Sequence, residues 1–422
     1  MKRLEDVADV ADVADVARDA AAPRLPLYSR RRWLVLGMLF ASTILNYVDR
    51  QTLSILADHV QRDLGMSVID YAHVVQLFLI AYTLAYLGAG WLTDKLGTKV
   101  SLALFVGWWS LANMLTGLVQ NVAQLGAARA ALGLGEAGNY TAGPKAVAEQ
   151  FPPHERGFAI GIYTAGAMIG ATIAPPLIAW LTLSYSWRAA FVATGAMGFV
   201  WLAVWLLVYK TPAPIAAAAQ GEAYPWSRVL RDRSVWCLTA ARLLSDPVWY
   251  FYLFWLPKYM GDAYGLSLVQ IAQLAWVVYL AADLGSVGGG MLSGLLVRRG
   301  ASPQQGRVRV MTLAAVMAPL GALIATGVGI GTMLALASVV AFAHLMFMVN
   351  MTALVVDRYP GRGVGTVFGM IAAGSGLGGL LSTQVVGMLV SASSYQMIFM
   401  LMACLHPLAC GMTWLAVRQG RR

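Results

Sequence analysis

At 422 residues, 59% of them hydrophobic and only 12% charged, the chain carries about half the charge of an ordinary soluble domain. Its net charge of +10 does not mark a nucleic-acid surface, because the basic residues fall in short connectors between apolar runs rather than on one soluble face. The five His residues are scattered and Cys237, Cys404 and Cys410 lack metal-ligand spacing; with no nucleophile elbow, CxxC pair or phosphate-binding glycine loop, neither an enzyme nor a metal or cofactor site is expected.

Residues 1–32 open with the acidic repeat DVADVADVADVA, which presents no lasting apolar stripe, and continue through Pro23 and Pro26. A disordered tail with no cleavable signal is the expectation. From Trp33 to Val417 apolar runs of about 20 residues, the length that spans a bilayer, recur almost end to end. The spacing predicts an all-α membrane protein of twelve helices, at 33–57, 70–93, 99–119, 122–147, 156–181, 187–209, 237–261, 269–297, 308–328, 330–356, 362–389 and 395–418. The 43 Gly residues suit such a bundle, since helices in lipid approach through small residues.

The longest polar interruption runs from Lys210 to Arg233 and opens with Pro212 and Pro214. It predicts a six-helix half at 33–209, a linker at 210–236 and a second half at 237–422. Arg30, Arg31 and Arg32, Lys95 and Lys99, Arg156, the linker, Arg298 to Arg309, Arg358 and Arg362, and the final Arg residues all fall on one side. The positive-inside bias makes that side cytoplasmic, with both termini there. The halves echo one another: Gly90-Trp-Leu-Thr-Asp94 through Lys99 returns as Gly290-Met-Leu-Ser-Gly294 through Arg299. Such repetition is how rocking transporters are built around a site at mid-membrane.

Gly90-Trp-Leu-Thr-Asp94-Lys95-Leu-Gly97-Thr-Lys99 resembles the turn between the second and third helices of the major facilitator superfamily. The resemblance implies a fold of two six-helix halves related by a pseudo-twofold axis, with Gly90, Asp94, Gly97 and Lys99 at a gate. Asn46-Tyr47-Val-Asp49-Arg50-Gln-Thr-Leu-Ser54, Gly133-Leu-Gly-Glu136-Ala-Gly138-Asn-Tyr140, Lys145 to Glu149, Ala174-Pro-Pro176, Asp246-Pro-Val-Trp-Tyr250 through Tyr259 and Asp283-Leu-Gly-Ser286 resemble the anion:cation symporters, and within them the hexuronate-transporter branch. That branch has a Phe-Asn-Ala-Gly-Ser-like run in helix five and a Trp-Ser-Ala-Asn-like run in helix ten. Here Tyr163-Thr-Ala-Gly-Ala167 and Phe347-Met-Val-Asn350 stand instead, so a less hydroxylated or more aromatic carboxylate is an alternative to a sugar acid.

The charges inside the spans carry the functional reading. Each costs roughly 2.5–3.5 kcal/mol at the bilayer centre, so Asp49, Arg50, Arg129, Glu136 and Asp283 are expected to face a cavity and to have partners. Asp49 and Arg50 point about 100° apart on one helix, and Asp49 and Arg129 share a depth of about 10–12 Å, which predicts an Asp49–Arg129 pair. Arg50 is then free to offer its planar fork to a substrate carboxylate. Glu136 lies about 10 Å deeper, near the midplane, where a low dielectric disfavours the ionised carboxyl and suits it to carry a proton. Asp49, Arg129 and Asp283 join it as coupling candidates, with a static pair and a gate role as the respective alternatives. Family members likewise place a coupling glutamate in this motif. Tyr47, Tyr82, Tyr163, Tyr250 and Asn350 are candidates to stack on or read a hydroxylated ligand. The expected protein is a monomeric, proton-coupled importer of a small carboxylate in the inner membrane; an exporter of organic acids or drugs is the runner-up.

Overall fold

The computed structural model describes residues 30–211, 225–359, 363–391 and 395–419. The acidic repeat and the middle of the linker lie outside these residues. In chain order the helices are α1 (Arg31–Ile55), α2 (Ala57–Leu64), α3 (Val68–Leu96), α4 (Thr98–Thr116), α5 (Val122–Gln150), α6 (Pro153–Ser184), α7 (Trp187–Val208), α8 (Trp226–Arg231), α9 (Arg233–Phe254), α10 (Leu256–Tyr264), α11 (Leu268–Arg298), α12 (Pro303–Met317), α13 (Ile330–Arg358), α14 (Val364–Ser391) and α15 (Tyr395–Gln419). Apart from the short α2, α8 and α10, these are the twelve helices of the bundle.

Their starts are written locally. Ser67, Ser267 and Ser302 cap α3, α11 and α12 in capping boxes with Asp70, Gln270 and Gln305 three residues on, which satisfies otherwise orphaned N–H groups at the helix ends. Asn121, Ser186 and Asp232 cap α5, α7 and α9. Two spans depart from the expected run. The seventh breaks at Trp255, ahead of Pro257 in the first turn of α10. The ninth tightens into a 3₁₀ segment, Ala318–Thr326, where Pro319 has no N–H to continue the α-helical ladder.

Eight of the long helices are apolar enough to cross a membrane on composition alone among the described residues. The four that fall short are α1, α4, α5 and α9. These carry Asp49 and Arg50, Asn113, Arg129 and Glu136, and Arg242 and Asp246 respectively. The charges of the central ion pair, Arg50 and Glu136, thus lie on two of the less apolar helices.

The halves meet along two seams, α3 against α14 and α6 against α11, near the end of the bundle that carries the start of α1 and the end of α15. In the first seam Gly90 and Gly365 face each other so closely that a side chain on either would collide with the other's backbone. Gly157 and Gly290 do the same in the second. Gly294, where the repeat lacks an acid, packs on the carbonyl of His154, so there is no room for a carboxylate there.

Asp94 closes the first seam. Its Oδ1 accepts from Lys145 Nζ at 2.8 Å and from the backbone N–H of Gly365 at 3.0 Å, and its Oδ2 accepts from the N–H and hydroxyl of Thr366. A carboxylate against the first turn of α14 meets the positive end of that helix. At the second seam Asp357 Oδ1 takes Arg156 Nη1 at 2.8 Å and its Oδ2 takes Arg307 Nε at 3.2 Å. Gly97, at φ 78°, makes the turn into α4, and Lys99 contributes its carbonyl to Trp205 Nε1 at 3.0 Å.

Removing Asp94 strands Lys145 in a buried position, a loss of about 3–5 kcal/mol for a broken buried pair. In a variant with its three native cysteines replaced, a cysteine at the buried Val364 should label at least about tenfold faster with a water-soluble thiol reagent when Asp94→Ala is added. Unchanged labelling would show that Asp94 does not hold this end shut.

Candidate functional site

Glu136 is fully buried in the middle of α5. Gly133, Gly135 and Gly138 around it let Phe78 of α3 and Trp109 and Phe105 of α4 approach the α5 backbone. One oxygen, Oε2, receives both Nε and Nη2 of Arg50, at 2.8 and 2.7 Å, while Oε1 is buried without a hydrogen-bond partner. The ion pair is lopsided in exposure: the Arg50 side chain is 25% accessible and that of Glu136 is 0%. The acid that holds Arg50 is thus sealed off, while the Arg50 side chain keeps some accessible surface.

An aromatic cage holds the cation in place. The Arg50 guanidinium carbon lies 4.6 Å from the ring of Tyr82, 5.3 Å from Tyr47 and 5.4 Å from Phe78, within range of favourable cation–π attraction. Tyr82 stacks on Phe78, and its hydroxyl meets that of Tyr86 at 2.7 Å. Asn46 Oδ1 adds a long contact to Arg50 Nη2 at 3.4 Å.

The expected Asp49–Arg129 ion pair is replaced by another arrangement. Arg129 donates to the main-chain carbonyls of Asp49 at 3.5 Å and Arg50 at 3.2 Å, with Phe78 against its guanidinium at 5.3 Å. It thus clamps the backbone of α1 rather than the carboxylate beside it. Asp49 turns the other way, into the buried contact between α1, α4 and α7. There its Oδ1 accepts from Asn113 Nδ2 at 2.7 Å, and Asn113 also donates to Thr194 Oγ1 at 2.8 Å. Arg50, expected to be free for substrate, instead holds Glu136. Equal depth was a sound guide to proximity but could not give the rotation of α1, and rotation chooses the partner.

The remaining candidates divide. Tyr47 and Tyr82 stand at the cation. Tyr250 of α9 is half-buried, with its ring against Gly379 of α14. Tyr163 is buried with its ring on Gly143. Asn350 is fully buried, and its Nδ2 donates to the carbonyls of Gly289 at 3.1 Å and Met346 at 2.9 Å, tying α13 to α11, while its Oδ1 is buried without a hydrogen-bond partner. Asp283 is half-buried on α11 and has no ion pair or hydrogen bond among the described residues. Sequence reasoning passed over Asn113, a lone amide in an apolar run, and Arg242, which has Asp246 one turn on, a spacing that signals a helix-face ion pair.

Two six-helix halves, packed together at one end and holding a partly buried cation, make a multi-pass membrane transporter, not an enzyme. The chain belongs to the Major Facilitator Superfamily, whose profile matches residues 39–328. It is 31% identical over 402 residues to the hexuronate transporter of Escherichia coli (strain K12), covering 91% of this chain and 93% of that protein. It is 34% identical over 316 residues to the galacturonate transporter of Dickeya chrysanthemi, covering 71% and 90%. In fold it is similar to the Major Facilitator Superfamily transporter FucP in the outward conformation, with a TM-score of 0.72 at 16% identity over 92% of this chain and 99% of that one.

Proposed function

We propose that the protein is a proton-coupled symporter that imports a sugar-acid monocarboxylate, of the uronate or aldonate kind, across the inner membrane. The observation that carries this reading is the ion pair at Arg50, whose side chain is bound by a fully buried carboxylate yet keeps accessible surface of its own. A substrate carboxylate and Glu136 compete for one guanidinium. When the substrate wins, Glu136 is left as an uncompensated charge in a buried place, which costs several kcal/mol. Taking up a proton removes that cost, so substrate and proton bind together. Loss of the proton lets Glu136 reclaim Arg50 and expel the substrate, which is coupling by differential affinity between states.

The basic connectors at the closed end, where α1 starts and α15 ends, support a cytoplasmic assignment of that end by the positive-inside bias. On that assignment substrate reaches Arg50 from the opposite, outward side. One proton with one monoanion moves no net charge, so the roughly 2.3 kcal/mol per 100 mV of membrane potential is unused and the pH gradient supplies about 1.4 kcal/mol per unit. Asp49 is the candidate for a second proton that would recruit the voltage.

Uptake into proteoliposomes driven by an inward pH gradient tests the reading. Uronates or aldonates should compete with the labelled substrate, and simple aromatic acids should not. Competition only by aromatic acids would replace the substrate class, and accumulation in the outward direction in inside-out vesicles would favour an exporter.

A further inference from the structure

A second charged pair sits on the half opposite Arg50, and the coupling scheme does not use it. Arg242 Nη2 meets Asp246 Oδ2 at 3.0 Å across one turn of α9, and neither side chain is freely solvated, at 17% and 7% accessible. Ser245 donates to Asp246 Oδ1 at 3.2 Å, and Met348 of α13 lends its sulfur to Arg242 Nη1 at 3.8 Å. Arg242 Nε is buried with no hydrogen-bond partner. Tyr250 continues the same face of α9 one turn beyond Asp246, with its ring fixed on α14, where a Cβ on Gly379 would lie 2.6 Å from it. The cluster sits beside the other half: Met348, whose sulfur meets Arg242 and Ser245, shares one buried apolar core with Tyr86 and Ala137 of the first half. Tyr82, whose ring covers the Arg50 guanidinium, packs against that core.

Resting on the sugar-acid reading above, we propose that the Arg242–Asp246 pair with Tyr250 is a subsite for the uncharged, hydroxylated end of the substrate, and that Asp246 excludes a second carboxylate there. The chemistry is that of a neutral pair with mixed capacity. Arg242 offers N–H donors and Asp246 carboxylate lone pairs, so vicinal hydroxyls that donate and accept at once are matched, whereas an anionic group meets the Asp246 charge. Because Arg50 belongs to one half and this pair to the other, a substrate long enough to touch both draws the halves together; a carboxylate without the hydroxylated end engages Arg50 alone.

The test is inhibition of uronate uptake by an aldarate, which carries a carboxylate at each end, in the native protein and in Asp246→Asn. Releasing Arg242 from its acid should raise the aldarate's potency relative to unlabelled uronate by about tenfold or more, as expected for a charge pair gained at a partly desolvated site. An unchanged ratio, with native uronate uptake intact, would overturn the subsite while leaving the sugar-acid reading in place. Absence of any uronate or aldonate inhibition in the native protein would overturn that reading instead. Should Asp246→Asn fail to fold, Arg242→Gln with Asp246→Asn keeps the site neutral. It should cut the preference for a uronate over an unhydroxylated monocarboxylate by about tenfold, and a preserved preference would also overturn the proposal.

Discussion

Glu136→Gln is expected to abolish accumulation of substrate against a gradient while sparing exchange of labelled for unlabelled substrate across proteoliposomes. Glutamine fills the same volume between Gly133, Gly135 and Gly138 and still offers Arg50 an oxygen, so the helix contacts survive. What it cannot do is hold a charge that competes with the substrate or take up a proton when the substrate arrives. In the native protein one proton bound per substrate makes affinity change by up to about tenfold per pH unit where Glu136 titrates, tighter at lower pH. The sign follows from the competition: the protonated acid releases Arg50, and the ionised acid reclaims it. In the variant that dependence should flatten, at the tight, low-pH level of affinity. Retained uphill uptake, or an unaltered pH profile of binding, would remove Glu136 from the coupling role.

The helices were legible because each span announces itself by length and apolarity, and most ends fall within a few residues of those expected from the sequence. Where a span failed to run through, proline was responsible, at Pro257 and Pro319; both positions were visible in the sequence, but whether a proline bends a membrane helix or ends it depends on neighbours it does not reveal. In the site, the residue types and their depths could be read, and the pairing could not. Asp49 and Arg50 are adjacent, so a modest rotation of α1 decides which of them meets α5. The structure rotates Arg50 onto Glu136 and sends Asp49 to Asn113, a residue whose only sequence signal is an amide in an apolar helix. Arg129 shows the same limit in another form, because it satisfies itself on main-chain carbonyls, which no side-chain pattern advertises.

Arg50 is the other residue whose replacement should have a large effect, and the choice of substitute separates its two tasks. Arg50→Lys keeps a cation that can still neutralise Glu136, but a single ammonium cannot face a buried acid and a substrate carboxylate with the planar fork that now contacts Glu136 through Nε and Nη2. Loss of one charge-assisted hydrogen bond, about 1.5–3 kcal/mol, should weaken substrate binding by roughly ten- to a hundredfold. Arg50→Met removes the cation altogether and leaves Glu136 buried and unpaired, so thermal stability of the detergent-purified protein should fall as well, by the equivalent of about 3–5 kcal/mol at a pH where Glu136 is ionised. Adding Glu136→Gln to Arg50→Met removes that stranded charge and should return most of the stability without returning substrate binding. This double-variant comparison isolates the pair from the substrate contact. Full affinity in Arg50→Lys would mean that the substrate carboxylate is held elsewhere. Recovery of transport in the double variant would mean that the ion pair only holds α1 against α5.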